Sequence, residues 1–126
     1  MYPLLQRLLR TGLALACLTG FAGAAAAQTI GVSIPAATHG WAGGMNFHAE
    51  RAKERIEAAN QGVRIVILTA QSASEQANDL EDLVAIHNID ALVVLPFESA
   101  PLTGPVRNVK RRGVFITVVD RGLSED

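Results

Sequence analysis

Four short β-branched runs separated by three amphipathic stretches leave this chain few folds to choose from. Thr29-Ile30-Gly31-Val32-Ser33-Ile34 reads as a strand ended by Pro35. From Gly43 or Gly44 to Asn60, Met45, Ala49, Ala52, Ile56 and Ala59 recur at helical spacing, while Glu50, Arg51, Lys53, Glu54 and Glu57 form a solvated face. Gln61-Gly62 closes that helix, the glycine suiting a left-handed cap. Val63 to Thr69 is almost continuously apolar, as expected of a strand covered on both faces. Ser72-Ala73-Ser74-Glu75 has the spacing of a capping box, and Ala77, Leu80, Leu83, Val84 and Ile86 give the second helix its buried stripe. Ala91 to Leu95 is a third strand stopped by Pro96. A third helix is expected between Thr103 and Arg112, with Pro105 in its first turn and Gly113 just past its end. Val114 to Val119 is the fourth strand, running into Asp120-Arg121-Gly122.

A βαβαβαβ order at this spacing requires crossover connections, which are right-handed and build a parallel sheet flanked by helices: an α/β fold. Ligands of such sheets sit beyond the carboxyl ends of the strands, near the point where strand order reverses. That rule nominates four loops: Pro35 to Gly44, Thr69 to Ser74, Pro96 to Pro101, and Asp120 to Gly122.

Residues 1–27 read as an export signal rather than as part of the fold. Arg7 and Arg10 precede the uncharged Thr11 to Gly23, which carries Leu13, Leu15, Leu18 and Phe21, and Ala25-Ala26-Ala27 offers a small-x-small cleavage site. The uncharged stretch falls short of the roughly 20 strongly apolar residues of a spanning helix. Six residues between Arg10 and Cys17 leave too little room for a lipoprotein signal. The mature chain then begins at Gln28 in the periplasm and loses its only cysteine, so neither a disulfide nor a cysteine metal site is available to it. Nine Lys and Arg remain against twelve Asp and Glu. This mild acidity argues against nucleic acid as a partner.

The first loop holds the only tryptophan. Trp41 either offers its indole face to the C–H face of a sugar or packs on the core as a lid. His39 either exchanges hydrogen bonds with ligand hydroxyls or is a surface turn residue. Asp120 and Arg121 pair an acceptor of two hydroxyls with a forked donor, which suits a polyhydroxy ligand; the alternative is a local ion pair or a cap. Gln71, Ser72 and Glu98 add candidate polar contacts on the neighbouring loops. Chemistry finds no such foothold. His39, His48 and His87 lack metal-ligand spacing, Asp79, Glu81 and Asp82 read as a solvated helix face, and there is no nucleophile elbow. Neither an enzyme nor a cofactor is expected.

Ile30 to Pro35, Leu80-Glu81-Asp82-Leu83, Asp90 to Pro96 and Gly113 to Arg121 together resemble the periplasmic sugar-binding proteins of the ribose-binding type, the substrate-binding components of sugar ABC transporters. The resemblance implies a type I periplasmic binding fold with sugar held between two lobes, no catalysis, and delivery to a membrane permease. A sensing role, presenting sugar to a chemoreceptor or sensor kinase, is the alternative. Only Asp120-Arg121 matches the family's sugar contacts outright. His39-Gly40-Trp41-Ala42 stands where ribose binders have Asn-Pro-Phe-Phe, Leu95 replaces a polar residue, and Thr69-Ala70-Gln71-Ser72 is one residue shorter than the usual segment. These departures point away from ribose toward another pentose, a hexose or a sugar alcohol. Mature family members are two to three times as long, so residues 28–126 are expected to be an N-terminal lobe without its partner lobe, a partial sequence or a single-lobe protein.

Overall fold

The computed structural model describes residues 27–37 and 40–124. Residues 1–26 of the expected export signal and His39 therefore lie outside the described residues. In chain order the elements are β1 (Gln28–Pro35), α1 (Gly40–Ala59), β2 (Val63–Ala70), α2 (Ala73–Ala85), β3 (Ala91–Val94), α3 (Ser99–Arg111) and β4 (Phe115–Val118). All strand pairs are parallel and the order across the sheet is β2-β1-β3-β4. The α/β fold read from the sequence is the fold observed.

That order divides the helices. The β1-to-β2 connection steps one way along the sheet and the next two step back, so right-handed crossovers put α1 on one face and α2 and α3 on the other. Strand alternation follows suit. Leu92 and Val94 join Leu80, Leu83, Leu102, Val106 and Val109 in the buried core beneath α2 and α3. Gly31 lies on this side, where an added Cβ would stand 2.9 Å from Ile89 Cδ1, so a larger residue would have to displace the Ile89 side chain. Ile30, Val32 and Ile34 face α1 instead. No residue of α1 is fully buried, and its apolar face encloses with the sheet a crevice of about 620 Å³. The strand β2 is correspondingly less covered than its apolar run suggested: only Ile65 and Ala70 are buried, because it lies at the sheet edge.

The helix ends show what the sequence signals were worth. Gly62 and Gly113 both adopt the left-handed backbone expected after α1 and α3, at φ 93° and 87°. Ser72 caps α2, its Oγ accepting from Glu75 N at 3.1 Å, while Glu75 Oε2 accepts from Gln71 N at 2.8 Å rather than from Ser72. The box closes one residue early. Helix α1 opens at Gly40, a turn before the expected Gly43 or Gly44. Helix α3 opens at Ser99, four residues before Thr103, so Pro105 falls in the second turn and not the first. The bond it forfeits is the one its missing N–H would make to the Pro101 carbonyl, and Gly104 before it has no Cβ to clash with the ring. Burial of Leu102, Thr103, Val106 and Val109 offsets that loss.

Asp79 departs from the solvated face expected of it. Its Oδ2 is buried and accepts no hydrogen bond, and burial first, then the Glu75 and Asp82 carboxylates, raises its pKa above the usual carboxylate value. The folded state therefore holds this proton more tightly than the unfolded chain, so stability falls as pH rises through the window just above about 3.9. Asp79→Asn is expected to flatten that slope and to gain a few tenths of a kcal/mol at neutral pH by removing two like-charge helix pairs. Urea unfolding across a pH series reads both effects. An unchanged slope would mean that Asp79 is solvated in solution.

Candidate functional site

The strand-order reversal lies between β1 and β3, and a cleft of about 200 Å³ opens beyond their carboxyl ends. Pro35, Trp41, Ala42, Leu95, Phe97, Asp120 and Arg121 line it. Three of the residues singled out in the sequence thus meet at one place, from loops spaced across eighty residues of chain.

Each arrives by a local device. Trp41 sits in the first turn of α1, 62% exposed, so it does not cap the core as a lid. Asn46 Nδ2 donates to the Ala37 carbonyl at 3.1 Å and ties the helix to the loop it leaves. Beyond β4, Arg121 N donates to Val119 O at 2.8 Å across Asp120, whose φ is 63°. This is a γ-turn of the rare, strained kind. Arg121 Nη1 donates to the Phe97 carbonyl at 2.5 Å, which draws the guanidinium to the β3 side of the cleft. Its Nε lies 4.0 Å from Asp120 Oδ2 with both side chains largely in solvent, an ion pair that adds little to stability.

The backbone at Asp120 is thus strained, and its ion pair returns little stability. The carboxylate accepts from adjacent hydroxyls, the guanidinium donates to ring or hydroxyl oxygens, and Trp41 with Phe97 supplies apolar faces. Two charged groups and two aromatic rings around a shallow opening suit a small hydroxylated molecule. The volume is below the roughly 300–1,000 Å³ of an enclosing pocket, so the cleft is an open surface that does not by itself surround a ligand. The larger crevice under α1 does not compete for such a ligand. Aliphatic side chains line most of it, with Trp41 and Asp120 shared with the cleft and His48 and Lys53 its other polar or charged members.

Of the remaining sequence candidates, Gln71, Ser72 and Glu98 do not line this cleft. Ser72 Oγ is engaged as the cap of α2, and Gln71 is exposed beside it with its N–H bound to Glu75. Glu98 is exposed at the cap position of α3, with no cap hydrogen bond from its side chain. Two residues escaped the sequence reading. Phe97 is a second aromatic, supplied from the β3 loop where the first loop has only Ala42; the signal was its place directly after the Pro96 that ends the strand. Gln76 is fully buried in α2, whose buried stripe the sequence pattern filled with apolar residues alone. Among the described residues no group of three His, Cys, Asp or Glu is gathered to hold a metal ion, and no helix is long and apolar enough to cross a membrane.

No family model matches the chain. It is 31% identical over 70 residues to the ribose import binding protein of Bacillus subtilis (strain 168), a match covering 55% of this chain and 23% of that protein. Among solved structures it resembles the Caulobacter myo-inositol binding protein bound to myo-inositol, at 27% identity and a TM-score of 0.61, over 84% of this chain and 34% of that one. It also resembles the fructose-binding periplasmic domain of a hybrid two-component system, at 27% identity and a TM-score of 0.66, over 79% and 31%. The chain thus spans about a third or less of the length of the proteins it matches. The sheet and its helices have the type I periplasmic binding fold, and the resemblance to the ribose-binding type read in the sequence holds.

Proposed function

We propose that residues 28–126 form the N-terminal lobe of a periplasmic binding protein that holds a sugar or sugar alcohol at the β1/β3 cleft for delivery to an ABC permease in the inner membrane. The observation that carries this is the convergence of Trp41, Phe97, Asp120 and Arg121 on one open wall. A wall of this size needs an opposing surface to exclude water from the ligand, and the greater length of the relatives is consistent with a second lobe supplying it. His39, Gln71, Ser72 and Glu98 stay on this reading as contacts at the rim. Residues 1–27 are proposed as the export signal, so the secreted product begins at Gln28. Mass spectrometry of that product would read its N-terminus directly, and a retained Met1 would contradict export by cleavage.

Sensing is kept as a second reading because one similar structure is a fructose-binding domain of a two-component system. Both readings use the same cleft. They separate on whether deletion of the gene abolishes uptake of the sugar or only the transcriptional response to it.

The single tryptophan gives the test. Titrating the chain with ribose, fructose, glucose and myo-inositol while following indole fluorescence should change the emission with at least one ligand, because Trp41 lies in the cleft wall and is the only reporter. Binding by this wall alone is expected to be weak, since a single open wall leaves much of a ligand in water. Unaltered emission at saturating concentrations of all four would contradict the proposal.

A further inference from the structure

We infer that Gln76 is a positioning residue for the cleft, holding the Leu95-Pro96-Phe97 segment and through it the Arg121 guanidinium. The inference rests on the sugar-binding reading above but names a residue outside the cleft wall. Gln76 is fully buried on α2, and its amide reaches three partners in two other segments. Nε2 donates to Ser33 Oγ at 3.1 Å and to the Leu95 carbonyl at 2.9 Å, and Oε1 accepts from Phe97 N at 2.7 Å.

The orientation of this amide is not free. The Leu95 carbonyl can only accept and the Phe97 N–H can only donate, so turning the amide over would oppose like groups at both. The side chain therefore acts as one more peptide unit beside the strand end. Leu95 N already donates to Ser33 O at 3.0 Å; the next link of the β1–β3 ladder, to the Leu95 carbonyl, would come from Pro35, which has no N–H to give. Gln76 takes over there and fixes the backbone of Phe97. The Phe97 carbonyl then receives Arg121 Nη1. A glutamate would lose both donors and an apolar residue would lose all three bonds, leaving buried groups unpaired. Only an amide of this length satisfies the site.

Amide exchange and sugar titration of Gln76→Met and Ser33→Ala, each as the full chain, separate positioning from plain stability. In the parent, the Phe97 amide should exchange slowly although it lies in no helix or strand. In Gln76→Met it should exchange at least about ten-fold faster, the effect of one lost hydrogen bond, while Leu92 and Val94 stay protected. Affinity for whichever of the four sugars binds the parent should fall roughly ten-fold under conditions where the variant is fully folded, the middle of the range over which members of one network couple. Ser33→Ala removes one bond and leaves Leu95 and Phe97 held, so both readouts should stay within about three-fold of the parent. Faster exchange at Phe97, Leu92 and Val94 together, with affinity unchanged, would make Gln76 a plain core residue and overturn the inference. Equal loss in Ser33→Ala would overturn it too. If Gln76→Met does not fold, Gln76→Asn keeps the amide but withdraws it by a methylene and is read in the same way. A parent that binds none of the sugars refutes the reading of the cleft, and the exchange arm still decides whether Gln76 orders Phe97.

Discussion

Arg121→Ala is expected to weaken sugar binding by about 2–5 kcal/mol in the two-lobed protein proposed above, roughly 30-fold to a few thousand-fold, while leaving the fold intact. In the open lobe this guanidinium is largely solvated and its ion pair with Asp120 is long, so removing it costs little stability. On closure over a ligand the same groups lose their water, and an Asp120 carboxylate left without its neighbour is then expensive. Asp120→Gly sharpens the test. Glycine accepts the positive φ of the turn without strain, so its thermal midpoint should stay within a few degrees of the parent while affinity falls by a similar factor. Trp41→Ala should cost less, about 1–3 kcal/mol, because water or a small shift of the ligand partly refills a lost apolar face. Calorimetric titration of the three variants, each checked by thermal melting, orders them. Parent-like affinity in both charge variants would make the γ-turn purely structural.

Leu92→Ala is expected to have the largest effect on folding, about 2–5 kcal/mol. Leu92 is wholly buried on β3, a strand with neighbours on both sides, and belongs to the cluster that joins the sheet to α2 and α3. That cluster has few alternatives. The α1 face is loosely covered, and residues 28–126 hold no cysteine to staple it, so stability rests on one side of the sheet. For a domain near 100 residues a loss of this size lowers the midpoint by more than about 10 °C. A fall of less than about 3 °C on a thermal melt would mean that the core lies elsewhere.

The four strands and three helices were legible because each carries its own periodicity, and the pairing of turns with strand ends followed from the parallel order those periods impose. Boundaries failed where a local rule met tertiary burial. Gly43-Gly44 and Thr103 read as helix starts, yet α1 and α3 begin earlier, at Gly40 and Ser99; in α3 the buried Leu102, Val106 and Val109 outweigh the loss at Pro105. The cleft divides in the same way. Trp41, Asp120 and Arg121 were visible because unusual residues sat on loops the topology had already selected. Phe97 and Gln76 were not. The value of Gln76 lies in bonds spanning 19 to 43 residues of chain, and no local pattern distinguishes a buried amide on α2 from its solvated neighbours. Gln71 and Ser72 show the converse: a polar loop beyond a strand end that is occupied with capping its own helix.

The central claim is that the wall beyond β1, β3 and β4 receives a sugar, and an amide chemical-shift map of the chain titrated with ribose, fructose, glucose and myo-inositol tests it most directly. The expected result is a set of shifts confined to Trp41, Ala42, Phe97, Asp120 and Arg121, growing with concentration for at least one ligand and silent at α2 residues such as Glu81 and Val84. Shifts centred on the α2–α3 surface, or none at the cleft with any of the four, would contradict it.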